Sequence, residues 1–562
     1  MPEYLAPGVY VEETSFRAKS IEGVSTSTTA FVGPTRKGPT AGEPVLITSF
    51  GDFERIFGGF GNLDFGSGDV PNYIAHAAFN YFNNGGARLF MARVYNGGGG
   101  IAGSAFAGGD ADDANNVRFI ARSPGRNGNG EATVTLIETP VTVMSLDRAP
   151  RGSLMDDGGT AFIRGEAGFV DSGDTAFGAL SGNENFITAN VLISDANGTE
   201  MFYENLGLAP GHPRYIGDIL SPTPDRLVDQ LELAFALQQG SGVDAFRLHA
   251  ILEGIDGTAQ VLSGGTDGGE PAAGNYTAPL GELARVDDIS IIAAPGYASF
   301  GNPAREGIQS ALISHAETRK AYRFAVLDTR PGIIPTESLT DKGVVDSSYA
   351  AMYYPWVVVA NPLAQPDDAS IPREITLPAS GFICGIFARN DISRSVSKSP
   401  GNEIVRGALR FERNISHAEQ EVLNPRGVNC LRFFPGRGFR LWGSRTASSD
   451  PEWKYIGPRR YFLFLEHSID RSTQWSVFEN NGPQLWANIR EAVTSFLYNE
   501  WRSGNLLGST PEEAFFVRCD RSTMTQNDLD NGRLICLIGV AVLKPAEFVI
   551  FRIGQKTADA RD

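Results

Sequence analysis

The chain has 562 residues, 42% of them hydrophobic, enough for roughly three or four domains and a sizeable buried core. Its formal net charge of −17 argues against sequence-independent binding to nucleic acid phosphates, and it opposes self-association unless specific buried contacts overcome the repulsion. Four widely spaced cysteines (Cys384, Cys430, Cys519, Cys536) fit reduced core thiols rather than a disulfide framework. No apolar run approaches ~18 residues, so no membrane span is expected. The start Met1-Pro2-Glu3-Tyr4 has neither the basic residues nor the apolar run of a signal peptide, so synthesis in a cytoplasm is expected.

In chain order, residues 8–13 read as a short strand, followed by a polar stretch over 14–20. A lone strand on a polar linker is not stable alone and must find a partner. Strands are expected at 28–32, 45–48 and 88–95. Between them, Ser49 caps a helix bearing Phe53, Ile56 and Phe57. Pro71 opens a second helix with Ile74, Ala77, Ala78, Tyr81 and Phe82 on one face, and Gly85-Gly86 stops it. Gly-rich breaks at 96–100 and 263–269 bracket about 160 residues of short strands with a helix expected near 225–239, the pattern of an inserted domain. Apolar strands then alternate with amphipathic helices: a strand at 289–294, a helix from Pro303, strands at 322–327 and 355–360, and a helix at 380–389. That alternation predicts a mostly parallel α/β sheet. A long helix is expected over 484–502 with Leu485, Ile489, Val493, Phe496 and Leu497 inward and Gly504 ending it. Strands follow at 514–519, 534–542 and 547–553, the last two separated by Lys544-Pro545.

Catalytic signals are weak. No G-x-S-x-G, G-x-x-x-x-G-K-[ST] or H-E-x-x-H occurs. His315, on the apolar face of its helix, reads as a core histidine. Asp328 sits at a strand end, where α/β ligand sites occur, but Asp328-Thr329-Arg330-Pro331-Gly332 is also ordinary turn chemistry. The acidic run Asp110-Ala111-Asp112-Asp113 lacks the later ligands of a calcium loop. Residues 426–460 carry eight basic side chains against Asp450 and Glu452, with aromatics interleaved. Such a stretch is either a core edge with structural ion pairs or a surface for an acidic protein partner.

Several motifs, taken in order, resemble the contractile tail sheath family of bacteriophages and related injection systems. They are Ala6-Pro7-Gly8-Val9-Tyr10-Val11-Glu12-Glu13, Thr29-Ala30-Phe31-Val32-Gly33, Gly427-Val428-Asn429, and Gly438-Phe439-Arg440-Leu441-Trp442-Gly443-Ser444-Arg445-Thr446. Further on come Val477-Phe478-Glu479-Asn480, Leu485-Trp486 and Lys544-Pro545-Ala546-Glu547-Phe548. The family's Pro near Asn480 is displaced here to Pro483. The resemblance covers roughly 1–95 and 280–555.

It implies a subtilisin-like, non-catalytic, mostly parallel α/β core with an inserted β-rich outer domain, an α+β C-terminal domain, and extended N- and C-terminal strand arms. The expected divisions are an N-arm and linker (1–20), the first part of the core (21–98), the insert (99–261), the α/β core (262–425), the C-terminal sheath domain (426–545) and the C-arm (546–562). The resemblance further implies a cofactor-free structural protein, not an enzyme. It would stack as hexameric rings around an inner tube protein, with baseplate and tail-terminator partners, no nucleic acid and no membrane insertion, assembled in a bacterial cytoplasm. The N-arm (Val9, Tyr10, Val11, Glu12) and C-arm (Phe548, Val549, Phe551, Ile553) would complete a neighbour's sheet on acceptor strands carrying Phe515, Val517, Leu534 and Leu537. Arg440, Arg445, Arg490 and Arg502 are candidates for tube or neighbour contact. Ordering about seven arm residues costs ~7–14 kcal/mol, of the order returned by burying their apolar side chains and forming ladder hydrogen bonds. The alternatives are a non-contractile tube or baseplate component, or an α/β hydrolase.

Overall fold

The computed structural model describes residues 20–106 and 113–551, residue 113 by its backbone only. It packs as two units. The larger comprises Ser27–Arg389 and Gly401–Lys454. The smaller comprises, among the described residues, 20–26, Asn390–Pro400 and 455–551.

The larger unit is built on a nine-stranded sheet. Its centre is parallel: Leu89–Arg93, Thr29–Gly33, Ile291–Ala293, Phe324–Asp328, Ala350–Tyr354 and Val428–Phe434 lie side by side in that order. Antiparallel Val45–Ile47 closes one edge, and Gly438–Trp442 with Glu403–Ile404 closes the other. Central strands such as Phe324–Asp328 and Ala350–Tyr354 are buried along their whole length, which is why they read as continuous apolar runs without alternation. Ser49 caps the helix Phe50–Phe57 by accepting from the Asp52 N–H at 3.1 Å, as expected. The second helix, Tyr73–Asn83, is capped by Asn72 rather than opened at Pro71.

Two elements depart from expectation. The strand placed at 355–360 is Val357–Ala360, but it lies in a separate antiparallel sheet with Glu374–Leu377 and Arg410–Phe411. The strand that continues the main sheet is Ala350–Tyr354, and Pro355, which has no N–H to give a ladder, follows directly where the chain leaves it. The helix expected near 225–239 is only Leu227–Glu232; Phe235–Gln239 is a strand paired with Val117–Ala121. Burial of Phe235, Ala236 and Leu237 in that pair outweighs the local helical spacing. The longer helix of the block is Ala245–Gly254, capped by Asp244, which accepts from the Arg247 N–H at 2.7 Å.

The block between the glycine-rich breaks is antiparallel. Its main sheet runs Phe169–Val170, Thr160–Arg164, Leu154–Asp157, Glu184–Ser194, Gly130–Pro140, Ala259–Leu262, with Glu200–Leu206 also on Glu184–Ser194. It encloses its own core around Val134, Val191, Leu237 and Leu248. The two breaks run side by side: the Gly269 N–H donates to the Asn96 carbonyl at 2.7 Å and the Thr266 N–H to the Gly100 carbonyl at 3.1 Å. Buried Asp267 accepts from the backbone N–H groups of Asp64 (3.0 Å) and Arg126 (2.9 Å). One carboxylate thus joins a loop of the core to a loop of the block.

The motif glycines mark close approaches. Gly427 has φ +81°, and a Cβ there would lie 2.8 Å from the Thr446 carbonyl oxygen. Asn429, buried beside it, donates to the Arg445 carbonyl at 2.7 Å and accepts from the Arg445 N–H at 2.7 Å. The two matching segments therefore form one hydrogen-bonded knot at the edge of the parallel sheet.

Two buried ionisable groups, His76 and Asp328, and the half-buried His315 set opposing pH responses. Burial holds His76 and His315 down to about 4; the Arg323 charge adds to the effect at His315. Their neutral forms contribute stability that is complete above about pH 6.5 and lost as the pH falls toward about 4, because the unfolded chain takes up those protons first. Asp328 behaves oppositely. Burial pushes it up to about 7 against hydrogen bonds from Ser380, so its contribution is complete below about pH 3.8 and lost as the pH rises through about 7. Stability should therefore fall on going from pH 7 to pH 5, less steeply than the two histidines alone dictate. His76 packs on Phe60 with ring centroids 4.9 Å apart and the planes tilted by 35°, so H76F keeps an aromatic ring there while removing one proton site. In urea titrations at the two pH values, H76F should lose roughly 2 kcal/mol less than the parent.

Candidate assembly interface

The smaller unit is organised by the helix Pro483–Arg502. The spacing of Leu485, Trp486, Ile489, Val493, Phe496 and Leu497 puts them on one buried stripe, and Pro483 at its first position costs no hydrogen bond. Gly504, at φ +78°, closes it by donating to the Trp501 carbonyl at 2.9 Å. Against this stripe packs the helix Ile456–Ser472 through Tyr461 and Leu465. Arg460 is bidentate to Asp391, at 2.9 and 2.6 Å, with side-chain exposures of 3% and 2%. The same guanidinium donates to the Thr26 carbonyl at 2.9 Å, and the Val24 N–H donates to Ser468 Oγ at 3.1 Å. Residues 21–26 are thereby fixed along the Ile456–Ser472 helix, with Ile21 in its core.

A hairpin packs on the same core. Phe515–Arg518 pairs antiparallel with Leu537–Val540, Phe515 facing Val540 and Arg518 facing Leu537. Alternation divides its faces. Phe515, Val517, Ile538 and Val540 pack toward the helix core, while Phe516 and Leu537 are exposed. The second strand is shorter than the 534–542 expected: Leu534 precedes it and packs on the same core, and Val542 makes an isolated bridge to Leu506. Among the described residues no third strand joins Phe515–Arg518 or Leu537–Val540, so a two-stranded sheet stands with unpaired edges.

The segment after Lys544-Pro545 forms no strand through Phe551, contrary to expectation; among the described residues no sheet edge receives it. Its root is held where Tyr455 Oη donates to Glu547 at 2.8 Å. Phe548, Val549, Ile550 and Phe551 are all exposed, Phe551 at 84%. Val9, Tyr10, Val11, Glu12 and Ile553 lie outside the described residues.

Four arginines were singled out by the sequence. Arg490 and Arg502 are exposed on the Pro483–Arg502 helix, 12 residues and so about 18 Å apart along it. Arg490 is close enough to Cys519, Cys536 and Asp520 to favour their ionised forms. Arg440 is half-buried on the edge strand Gly438–Trp442, donating to the carbonyls of Arg437 and Asn402, both at 3.0 Å. Arg445 is 8% exposed, with its backbone N–H and carbonyl in the knot with Asn429. Arg459 and Arg460 of the same basic stretch are buried as well. Sequence reasoning passed over Phe478 except as part of a motif. It is fully exposed (104%) with φ +68°, in a turn closed by the Glu479 N–H on the Ser476 carbonyl. An aromatic residue in left-handed conformation costs about 1–2 kcal/mol, and nothing within the turn returns it.

The best catalytic candidate is otherwise engaged. Asp328 is buried and accepts from the Ser380 N–H (2.8 Å) and Oγ–H (2.5 Å), capping the helix Ser380–Ser393. His315 is hydrogen-bonded to Arg323. Among the described residues, no group of three or more His, Cys, Asp or Glu is placed to hold a metal ion, and no helix is long and apolar enough to cross a membrane.

Comparison with known proteins matches residues 269–447 to the phage tail sheath protein central domain and 448–556 to the phage tail sheath C-terminal domain. The chain is 24% identical over 310 residues to a prophage major tail sheath protein of Pseudomonas aeruginosa (strain UCBPP-PA14), covering 53% of this chain and 73% of the relative. It shares its fold with the helical sheath of the anti-feeding prophage in the contracted state (TM-score 0.55, 22% identity, 99% of this chain and 100% of that one). A similar match is the sheath complex of an extracellular contractile injection system, PVC, in the contracted state (TM-score 0.55, 19% identity, 99% of each chain).

Asp391→Asn would leave the Arg460 charge buried with half its partner removed. A loss of about 3–5 kcal/mol in the unfolding of the smaller unit is expected, read by hydrogen exchange of the Pro483–Arg502 helix amides along a guanidinium chloride titration. A change under about 1 kcal/mol would show the pair to be dispensable.

Proposed function

This chain belongs to the phage tail sheath family, and from that premise we propose that it is the structural subunit of a contractile sheath. Copies stack as hexameric rings around an inner tube, between a baseplate and a terminator, and contract to drive the tube through a target envelope. The observation that carries this reading is the Phe515–Arg518/Leu537–Val540 hairpin, a two-stranded sheet with unpaired edges, on the unit from which an exposed apolar tail departs. Backbone donors and acceptors along a strand edge recruit an added strand, and the alternating inward side chains set its register. Head-to-tail addition of this kind propagates instead of closing.

In this proposal Phe515, Val517, Leu534 and Leu537 belong to the acceptor. The N-arm with Val9, Tyr10, Val11 and Glu12, and the C-arm with Phe548, Val549, Phe551 and Ile553, come from neighbours. Because residues 21–26 and Glu547 are fixed on the smaller unit, each arm leaves from a rigid root, and the linkers at 14–20 and Lys544-Pro545 act as hinges during contraction. The parallel sheet is the non-catalytic, subtilisin-like core. The insert faces outward. Arg440, Arg490 and Arg502 meet the tube or a neighbouring subunit. Assembly takes place in a bacterial cytoplasm and needs no cofactor and no enzymatic activity; energy is stored in the less favourable extended packing. Phe478 is a further inter-subunit contact in this reading, its conformational cost offset on burial.

Two experiments test the proposal. Negative-stain microscopy of the purified protein, with the tube protein added as template, should show striated cylinders from the full chain and folded, dispersed subunits from a chain lacking residues 1–20. Normal cylinders from the truncated chain would rule out the arm. F478G should leave the isolated subunit at least as stable as the parent, since glycine tolerates φ +68°, while raising the concentration needed for assembly severalfold. Unchanged assembly would remove Phe478 from the interface.

A further inference from the structure

Cys519 directly follows the strand Phe515–Arg518, and Cys536 directly precedes its partner Leu537–Val540. The register puts Arg518 opposite Leu537, so one further step along the pair sets Cys519 opposite Cys536. Residues facing each other in an antiparallel pair have Cα atoms ~4.5–5.5 Å apart, inside the ~4.4–6.8 Å range that a disulfide spans. The two side chains also share a face. Phe515 and Val517 point to the helix core with Ile538 and Val540; two residues further in each direction, Cys519 and Cys536 fall on the same side. Both pack in that core, Cys519 fully buried and Cys536 half-buried. The sulfurs lie within hydrogen-bonding reach of one another. The other two cysteines lack such an arrangement: Cys430 faces Tyr354 and Trp442 across its strands, and Cys384 lies within the helix Ser380–Ser393.

We infer that Cys519 and Cys536 are an oxidisable dithiol that closes to an intramolecular disulfide and staples the hairpin. The oxidant is a low-molecular-weight disulfide of the glutathione class. The thiolate of Cys536, the more accessible sulfur, attacks it and releases one small thiol. Cys519, giving up its proton, then attacks the mixed disulfide at the Cys536 sulfur and releases the second. Two protein thiols become one disulfide, one small disulfide becomes two thiols, and the two protons pass to the released thiolates. Burial pushes Cys536 up to about 12 and Cys519 above its usual value, opposed at both by Arg490. Thiolate is therefore scarce at neutral pH, and closure is slow there and faster in mild alkali. A reducing cytoplasm keeps the pair open. The consequence rests on the sheath reading: there the stapled hairpin is the strand acceptor, locked after the particle leaves the cell.

The test treats the full chain with oxidised glutathione at pH 8.5 or with a reductant, then denatures, alkylates and maps the peptides. Oxidation should lower the alkylatable thiols from four to two, join the peptides of Cys519 and Cys536 within one chain, and raise the thermal midpoint of the smaller unit by roughly 5–10 °C. C519S should instead retain glutathione on Cys536 and show no rise. Four alkylatable thiols after oxidation, a stable glutathione adduct at Cys536 of the parent, or a crosslink to another cysteine or another chain would each overturn the inference. Cross-linking is read on dispersed subunits. Failure of the reduced chain to form cylinders on the tube would count against the sheath reading and leave the dithiol result intact.

Discussion

A sheet of two strands leaves a row of backbone N–H and C=O groups unpaired on each outer edge, and this constraint organises the smaller unit. The hairpin 515–540 survives because its inner face is pressed on the Pro483–Arg502 helix; among the described residues no further strand covers its edges. Natural monomers blunt exposed edges with charge, proline or a covering loop. Here the nearby tail, Phe548 to Phe551, is apolar and exposed, the composition of a strand awaiting an edge. Under the proposed function, such a tail and such an edge are the donor and acceptor through which neighbouring subunits would complete each other's sheets.

Charge is unevenly distributed with respect to that edge. Residues 99–261 hold 22 Asp and Glu against nine Arg, a net −13 of the chain's −17. The remainder of the chain is close to neutral, so repulsion between copies is concentrated in the inserted block and away from the segments assigned to assembly. Several arginines that look like surface charge in the sequence are instead structural. Arg460 holds Asp391 and the Thr26 carbonyl together, and Arg445 is largely buried, its backbone tied to Asn429.

The parallel sheet has the strand-end geometry on which α/β proteins often place ligands, yet its most perturbed carboxyl, Asp328, is consumed as a helix cap. Its pKa is raised by burial, not by a reacting partner. The same topology serves as scaffold: Thr29–Gly33 lies between Leu89–Arg93 and Ile291–Ala293, so residues on either side of the insert are locked into one sheet and the block can vary without disturbing it.

Local chemistry by itself determined much of this protein. The Ser49 cap, the inward stripe of the long helix, the glycine stop at Gly504 and the alternation of apolar strands with amphipathic helices all follow from backbone stereochemistry and hydrophobic period, which act over a few residues. The ordered motifs pointed to the family. What only tertiary structure decided depended on partners distant in sequence. The stretch 235–239 became a strand because Val117–Ala121 offered a ladder and a core. Val357–Ala360 left the main sheet because Pro355 ends one ladder and Glu374–Leu377 begins another. Arg460 went inside because Asp391 was there to meet its guanidinium, and Arg445 is held at the sheet edge because Asn429 bonds its backbone N–H and carbonyl. Cys519 and Cys536, 17 residues apart and read from the sequence only as separate core thiols, face each other because the hairpin register sets them opposite. Short-range preferences fix which elements form; register, burial and ionic pairing are non-local, and they appear only when the chain has closed on itself.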